Sequence, residues 1–189
     1  GAIIAGIGKI ISVNKNFEKS VSTLSSLTGK QGDELLFLEN AAKKMGATTT
    51  LSATQAADAM TLIGSRFPDL LKSSEGLAAV TGESAILAEA AGIQMPAAAA
   101  ALTTSLNQFN LTADKSRSII DTLAAGSKAG AADVPFLNAA IEKSGAVAKE
   151  AGLSFQEMVA AVETIAPKIT EPTTAGLQLK NECRSKFSI

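Results

Sequence analysis

Apolar residues recur in alternating steps of four and three along the first part of the chain. The positions in this row, the α1 seam, are Ile3, Ile7, Ile10, Asn14, Phe17, Val21 and Leu24, and Thr28 continues the spacing. Such steps are the heptad spacing of a coiled coil. They predict one long helix that ends at Gly29 and spans about 40 Å, at roughly 1.5 Å per residue.

One position of the α1 seam is occupied by a polar residue, Asn14. A buried amide at a seam position fixes register or oligomer state at some cost in stability. We therefore predict that the chain associates with itself through the α1 seam. The alternative is that this helix packs only against its own domain.

Helical spacing continues beyond Gly29. A second helix is predicted over residues 33–44, with Gly46 as its left-handed stop. A third helix should start at Ser52, because Ser52 and Gln55 have the S-x-x-Q spacing of a capping box. It should run through about Ile63 and be broken by Gly64 and by Phe67, since the residue preceding Pro68 is pushed out of the helical region.

Glycines recur through the middle of the chain. Short or broken helices are expected over residues 69–91, where Gly76 and Gly82 interrupt the apolar pattern. A helix with a proline in its first turn is predicted over residues 95–108. Thr112 is the predicted N-cap of the next helix, and residues 126–133 are the most loop-like stretch.

Ser154 is the residue that most resembles a nucleophile. In AGLSFQEMV, residues 151–159, Gly152 precedes it by two positions, as in the Gly-x-Ser-x-Gly elbow of hydrolases. The sequence does not satisfy this motif, because the preceding segment is predicted to be helical, position 156 is Gln and the chain has no His.

A capping function explains the same residues better. Gly152 would end one helix, Ser154 would cap the next, and Glu157 would complete the capping box. Loss of such a cap costs about 1 kcal/mol, which is an effect on folding. The leading Leu-Ser, the capping residue and the final Ile of LSFQEMVAAVETI also occur in LSATQAADAMTLI, residues 51–63.

Composition favours helices throughout. Alanine is about a fifth of the residues, and Ala with Leu, Lys, Glu and Gln is typical of closely packed helices. No Asn-Gly or Asp-Gly hairpin signal occurs. We predict an all-α fold of six to eight helices in an Ala-rich bundle. The predicted organisation is a coiled-coil helix over residues 1–29, a helical core domain over 30–181 and a C-terminal tail over 182–189.

Several kinds of active site are excluded by composition. The sequence has no His, Trp or Tyr and one Cys, which rules out a Cys/His zinc site, an internal disulfide and a Ser-His-Asp triad. Ser12 and Lys15 match S-x-x-K, but the partner motifs of penicillin-recognising enzymes are missing. Gly8-Lys9 and Gly29-Lys30 lack the remaining glycine of a phosphate loop. We predict no enzyme activity, catalytic residue, cofactor or metal.

The net charge and the hydropathy of the chain limit the classes of partner that it is expected to bind. The formal net charge is −1, so we expect no nucleic-acid binding by this segment. No stretch reaches the roughly 18 apolar residues of a membrane span. The chain opens at Gly1 without a basic region before its apolar run, which argues against a signal peptide and suggests an excised or processed piece.

A series of landmarks extends over about residues 15–181. They are Phe17-Glu18 leading to Leu27-Thr28-Gly29; Ala41-Ala42, Gly46, Thr50, Ser52 and Gln55-Ala56-Ala57; Phe109-Asn110-Leu111 with Ala113; Asp121 with Leu123-Ala124; Gly152-Leu153-Ser154 with Glu157; and Ala175-Gly176 with Leu179-Lys180. In this order and spacing they resemble the core region of tail tape-measure proteins, the minor-tail family of long-tailed bacteriophages and prophages.

The resemblance implies a structural role. The protein would occupy the lumen of the tail tube in the virion, scaffold tube assembly in the host cytoplasm, set tail length and leave ahead of the DNA at infection. Its implied partners are tail-tube and tail-tip proteins, with contact to the host membrane during ejection, and the family core offers no catalytic residue to transfer. The alternative is a membrane-active helical protein that forms a channel or perturbs a bilayer.

Overall fold

Helices make up all the regular secondary structure in the computed structural model, which describes residues 2–187 of the backbone and the side chains of residues 15–186. The elements are α1 (Ala2–Thr28), α2 (Gly32–Thr48), α3 (Ala53–Arg66), α4 (Ser74–Ala91), α5 (Met95–Phe109), α6 (Ser116–Ala129), α7 (Val134–Glu150), α8 (Phe155–Ile165) and α9 (Pro172–Phe187), with 3₁₀ turns at Pro68–Lys72 and Ala113–Lys115. The predicted all-α class is confirmed, and this part of the chain holds one helix more than the predicted maximum of eight.

The additional helix is α9, which the sequence pattern left unassigned. Most of its residues are polar, and its buried side chains are Ala175, Leu179 and Cys183, spaced four apart. A contact stripe of three small or medium side chains is a weak periodic signal. The hydrophobic pattern of α9 is therefore weak in the sequence, and the helix is held in place by packing against α7 and α8.

The chain forms two compact units, Gly1–Gly82 and Glu83–Ile189, and the division falls within α4. In the first unit, α3 packs against both α1 and α2. Its fully buried side chains include Leu24, Leu38, Ala42, Ala56, Met60 and Ile63. The domain boundaries predicted after residues 29 and 181 stay a prediction, and α9 extends over residues 182–187.

In the second unit, α7 is the central helix and packs against α5, α6, α8 and α9. The buried residues Leu102, Leu106, Leu123, Leu137, Ile141 and Val162 form much of its core. The rings of Phe109 and Phe155 meet edge to face with centroids 5.3 Å apart, a favoured aromatic geometry that joins α5 to the start of α8.

Gly46 does not end α2, contrary to the prediction. The helix continues to Thr48, and a Cβ on Gly46 would lie 2.6 Å from the backbone nitrogen of Ala53. The glycine is therefore required by the close approach of α2 to the start of α3. A left-handed turn and a close approach both select against a Cβ, so the sequence alone does not distinguish them.

The prediction of broken helices over residues 69–91 is also wrong for most of that range. After the 3₁₀ turn, α4 runs without interruption through Gly76 and Gly82. A glycine inside a helix costs about 1 kcal/mol relative to alanine. Burial of Leu77 and Leu87 on the same helix offsets that cost.

Two further predictions around α6 need correction. Thr112 caps no α-helix with its side chain: its hydroxyl donates a hydrogen bond to Asp114 Oδ1 in the 3₁₀ turn, and α6 starts at Ser116. The predicted loop over residues 126–133 is helical as far as Ala129. Small polar residues and glycine locally favour caps and turns, and tertiary context overrides such local preferences.

Candidate functional site

The hydroxyl of Ser154 is engaged in a helix cap. Ser154 Oγ accepts a hydrogen bond from the Glu157 backbone N–H at 3.2 Å, and the Ser154 N–H donates to Glu157 Oε2 at 2.8 Å. Gly152, with φ of 87°, ends the preceding helix in the left-handed region that favours glycine. The predicted capping box is confirmed, and the nucleophile reading has no structural support.

A capping box of the same kind starts α3. Ser52 Oγ accepts from the Gln55 backbone N–H at 3.2 Å, and the Ser52 N–H donates to Gln55 Oε1 at 2.8 Å. Both capping boxes predicted from sequence are therefore present, one in each unit. In the second box the backbone and side-chain hydrogen bonds of Ser154 hold the pKa of Glu157 below its usual range.

The sequence analysis did not identify a further helix cap, formed by the acidic side chain of Glu171. Its carboxylate accepts from the Thr173 hydroxyl at 2.6 Å and from the Thr174 backbone N–H at 2.6 Å, just before α9 begins at Pro172. These hydrogen bonds lower the pKa of Glu171 to about 2. A proline at the first helical position is the signal that could have located this cap.

Replacing Glu171 with glutamine should remove a pH-dependent part of the stability. The folded-state pKa lies below the ordinary value of 4.5, so the stabilisation is present above pH 4.5 and is lost as the pH falls towards about 2. Thermal melts followed by circular dichroism should show the wild type above the Glu171→Gln variant at pH 6, with the two converging near pH 2. The control is Glu150→Gln on the exposed end of α7. A constant difference at every pH would contradict the assignment.

The other enzyme-like patterns fall on structure unsuited to their chemistry. Gly8-Lys9 lies within α1, and Lys30 forms an ion pair with Glu34 across the α1–α2 connection. Lys15 is exposed, while the side chain of Ser12 lies outside the described residues. Within the described residues, no group of three or more His, Cys, Asp or Glu side chains could hold a metal ion.

An open groove of about 960 Å³ runs between α6 and α8. The charges on its rim are already paired: Arg117 lies 3.3 Å from Asp121 and 3.6 Å from Glu83, and Lys115 lies 3.2 Å from Asp114. Such pairs on exposed side chains are typical of a solvated helix surface. The groove therefore brings together no acid–base or nucleophile–base couple.

Glu163 lies at one end of this groove and has a structural contact. Its Oε2 accepts a hydrogen bond from the Ala132 backbone N–H at 3.2 Å, and a Cβ on Gly130 would overlap the carboxylate. The side chain thus joins α8 to the α6–α7 connection. Its other oxygen, Oε1, is buried without a hydrogen bond.

The structure separates the α1 seam into parts with different surroundings. The side chains of Ile3, Ile7, Ile10 and Asn14 lie outside the described residues. Leu24 is fully buried within the first unit. Phe17 and Val21 are half-buried, so the described part of the seam faces partly inward and partly towards solvent.

Phe17 and Val21 line a groove between α1 and α2, the α1–α2 groove, of about 370 Å³. Its other lining residues are Glu18, Ser22, Ser25, Ser26, Leu35 and Glu39. Lys43 forms an ion pair with Glu39, at 2.5 Å, and its Nζ lies 5.6 Å from the centroid of the Phe17 ring. Apolar side chains and two carboxylates thus meet at one open surface.

Length and hydropathy together decide whether a helix is suited to span a membrane. Among the described residues no single helix is long and apolar enough, and the consecutive helices Ser74–Ala91 and Met95–Phe109 pass only as a pair bent by 119°. Many of the residues in this pair are buried, as in the core helices of globular proteins.

Comparison with known proteins identifies the family. Residues 39–185, most of the chain, match the phage-related minor tail protein family. The chain belongs to that family. It is also 25% identical over 170 residues to the tape measure protein of Pneumococcus phage Dp-1, an alignment that covers 90% of this chain and 14% of the relative. No solved structure matches the chain.

Membership of the phage minor tail family confirms the resemblance seen in the sequence. The family is described as phage-related minor tail proteins and the relative is named a tape measure protein, so the chain is a member of a family of phage tail proteins. The membrane-active alternative is not favoured by these relatives. The chain spans about one seventh of the tape-measure relative's length.

Proposed function

We propose that this chain is a structural segment of a tape-measure protein, which scaffolds the tail tube during assembly, sets tail length and leaves ahead of the DNA at infection. The observation that carries the proposal is the alignment of 90% of the chain with a protein named tape measure protein. The helical fold supports it, because helices give a fixed rise of about 1.5 Å per residue and so convert chain length into physical length.

The proposed location is the lumen of the tail tube in the virion, and the host cytoplasm during assembly. Tail-tube and tail-tip proteins are the proposed partners, together with a second copy of the chain bound through the α1 seam: Ile3, Ile7, Ile10, Asn14, Phe17, Val21 and Leu24. The host membrane would be contacted only during ejection. Neither a cofactor nor an enzymatic activity is part of the proposal.

Tail length in the phage that encodes the chain tests the proposed function. Duplicating the 27 residues of α1 in the full-length protein should lengthen the tail by about 40 Å, from the rise of a helix. Electron micrographs of purified virions would measure the distribution of tail lengths. The control is the same duplicated segment supplied as a separate polypeptide. Normally assembled tails of unchanged length would refute a length-setting role for α1.

A further inference from the structure

We propose that a pocket beside Leu111, the Leu111 pocket, binds a segment of another protein in which an apolar side chain stands next to a carboxylate. The pocket belongs to the second unit and has a volume of about 350 Å³. Its lining residues are Phe109, Leu111, Lys115, Ser118, Ile119, Lys149, Ser154, Phe155 and Gln156. The inference goes beyond the proposed function, which names no binding surface on the second unit.

The floor of the Leu111 pocket is apolar. Phe109, Ile119 and Phe155 are buried beneath it, and the edge-to-face contact of the two phenylalanine rings holds them together. Leu111 on the wall is only half-buried, so part of its side chain is left uncovered by the unit. The volume lies near the lower end of the range for ligand pockets, about 300–1,000 Å³. The pocket therefore offers a small apolar surface that one side chain of a partner would cover.

The end of α5 holds Leu111 in place. Asn110 has φ of 50°, the left-handed conformation that ends many helices. The Asn110 N–H then donates a hydrogen bond to the Asn107 carbonyl at 3.2 Å, and the Leu111 N–H donates to the Leu106 carbonyl at 2.8 Å. This pair of bonds is a Schellman motif, which satisfies the last carbonyls of the helix. The apolar wall is thus fixed before a partner arrives, which lowers the cost of ordering it on binding.

The charged residues that line the Leu111 pocket are both lysines. Lys115 and Lys149 line it, and its lining, all of it in the described part of the chain, contains no Asp or Glu. Lys115 has a carboxylate beside it, because its Nζ lies 3.2 Å from Asp114 Oδ2. Lys149 is exposed and takes part in none of the ion pairs between described side chains. Lys149 is therefore the cation that is available to a partner.

The other polar groups at the rim are already engaged. Ser154 Oγ accepts the Glu157 backbone N–H in the capping box, and Gln156 Nε2 donates to Ser118 Oγ at 3.4 Å. The two features without a counterpart in the unit are the uncovered apolar wall and the charge of Lys149. An occupant that matches both has an apolar side chain with a carboxylate next to it, since complementary charge sets the choice and orientation of partners.

A protein segment suits the Leu111 pocket better than a fatty acid of the same charge. Ser118, Ser154 and Gln156 are exposed around the apolar floor. An apolar centre with a solvated polar rim is the usual anatomy of a protein interface, where peptide groups flank the buried side chain. An acyl chain would instead place hydrocarbon against this polar rim. The proposed occupant is therefore a protein segment.

Methyl NMR spectra of the 189-residue chain test the pocket. The probe is the blocked dipeptide N-acetyl-Phe-Asp-NH₂, which carries a ring next to a carboxylate. Titrated to millimolar concentrations, it should shift the methyl signals of Leu111 and Ile119. The counterpart N-acetyl-Ala-Asp-NH₂ should bind at least about tenfold more weakly, because burial of the ring supplies most of the binding free energy.

A second titration tests the role of charge. The neutral counterpart N-acetyl-Phe-Asn-NH₂ should bind about threefold more weakly than the Asp dipeptide, as expected for loss of an exposed ion pair. Lys149→Gln should remove that difference, and high salt should reduce it in the wild type. The matched control is Lys128→Gln, which neutralises an exposed lysine of α6 that does not line the pocket. Circular dichroism checks that both variants are folded.

Four results would overturn the inference. They are an absence of shifts at the Leu111 and Ile119 methyl groups, equal affinities of the wild type for the Asp and Asn dipeptides, equal effects of Lys128→Gln and Lys149→Gln, and tighter binding of sodium laurate than of the Asp dipeptide at the same methyl groups. The last result would assign the pocket to an acyl chain. None of them bears on tail length, which the α1 duplication measures separately.

Discussion

The substitution Gly176→Ala should destabilise the second unit by about 1–3 kcal/mol, the usual cost of overpacking. A Cβ at Gly176 would lie 2.6 Å from the carbonyl oxygen of Ala140 and 2.9 Å from its Cα. Both atoms belong to the backbone of α7, so α9 would have to move away from the central helix. Urea unfolding followed by circular dichroism at 222 nm suits the measurement, because the chain has no Trp or Tyr.

Gly82→Ala is the matched control for Gly176→Ala. Gly82 also lies inside a helix, but a Cβ there would meet only Met45 Cε, at 3.8 Å, which is ordinary van der Waals contact. Alanine has the higher helix propensity, so this variant should be more stable by up to about 1 kcal/mol. The same chemical change is thus expected to have opposite signs at the two positions. A gain in stability at both would show that α7 and α9 are not in close contact.

The substitution Leu137→Ala should cost about 2–5 kcal/mol, because it leaves a cavity in the centre of the second unit. Leu137 is fully buried on α7, which packs against four other helices. Its Cδ1 lies 3.5 Å from where a Cβ on Gly126 would be, so the side chain fills the space beside a residue that has none. The unfolding midpoint in urea should fall, with the slope of the transition unchanged if the compactness of both states is preserved.

Leu177→Ala provides the comparison for Leu137→Ala. Leu177 lies on α9 in the same unit and is 48% exposed, so its removal leaves no cavity. Its effect should stay within about 0.5 kcal/mol, as for most surface substitutions. Similar costs for the two leucines would contradict the assignment of Leu137 to the core.

Features that depend on a few neighbouring residues were predicted well from sequence. The two capping boxes need only a serine and an acid or amide three residues later, and both form as expected. Gly29 and Gly152 end their helices with φ of 69° and 87°. In each case the interaction that decides the structure lies within one helical turn.

Features that depend on contact between helices were not predictable in this way. The sequence does not show whether Gly46 ends a helix or allows a close contact, because the two kinds of glycine are identical in sequence. The length of α4 and the existence of α9 likewise depend on burial against other elements. Propensity is a weak guide wherever tertiary packing contributes more than about 1 kcal/mol per residue.

The α1–α2 groove also shows the difference between what local spacing predicts and what packing between helices decides. Heptad spacing identified Phe17, Val21 and Leu24 as one apolar row, but it assigned them a common role. In the folded unit Leu24 is fully buried, whereas Phe17 and Val21 border the α1–α2 groove. The second wall of that groove comes from α2, and its contribution has no signature in the α1 sequence.

The sequence by itself determined the all-α class, the two capping boxes and the resemblance to the phage minor tail family, because these follow from residue type and from the spacing of residues along the chain. Only the tertiary structure decided that Gly46 admits a neighbouring backbone instead of ending its helix, and which side of the α1 seam stays open. Those outcomes depend on distances between residues far apart in the chain, where one Cβ at 2.6 Å from a backbone atom changes what can pack.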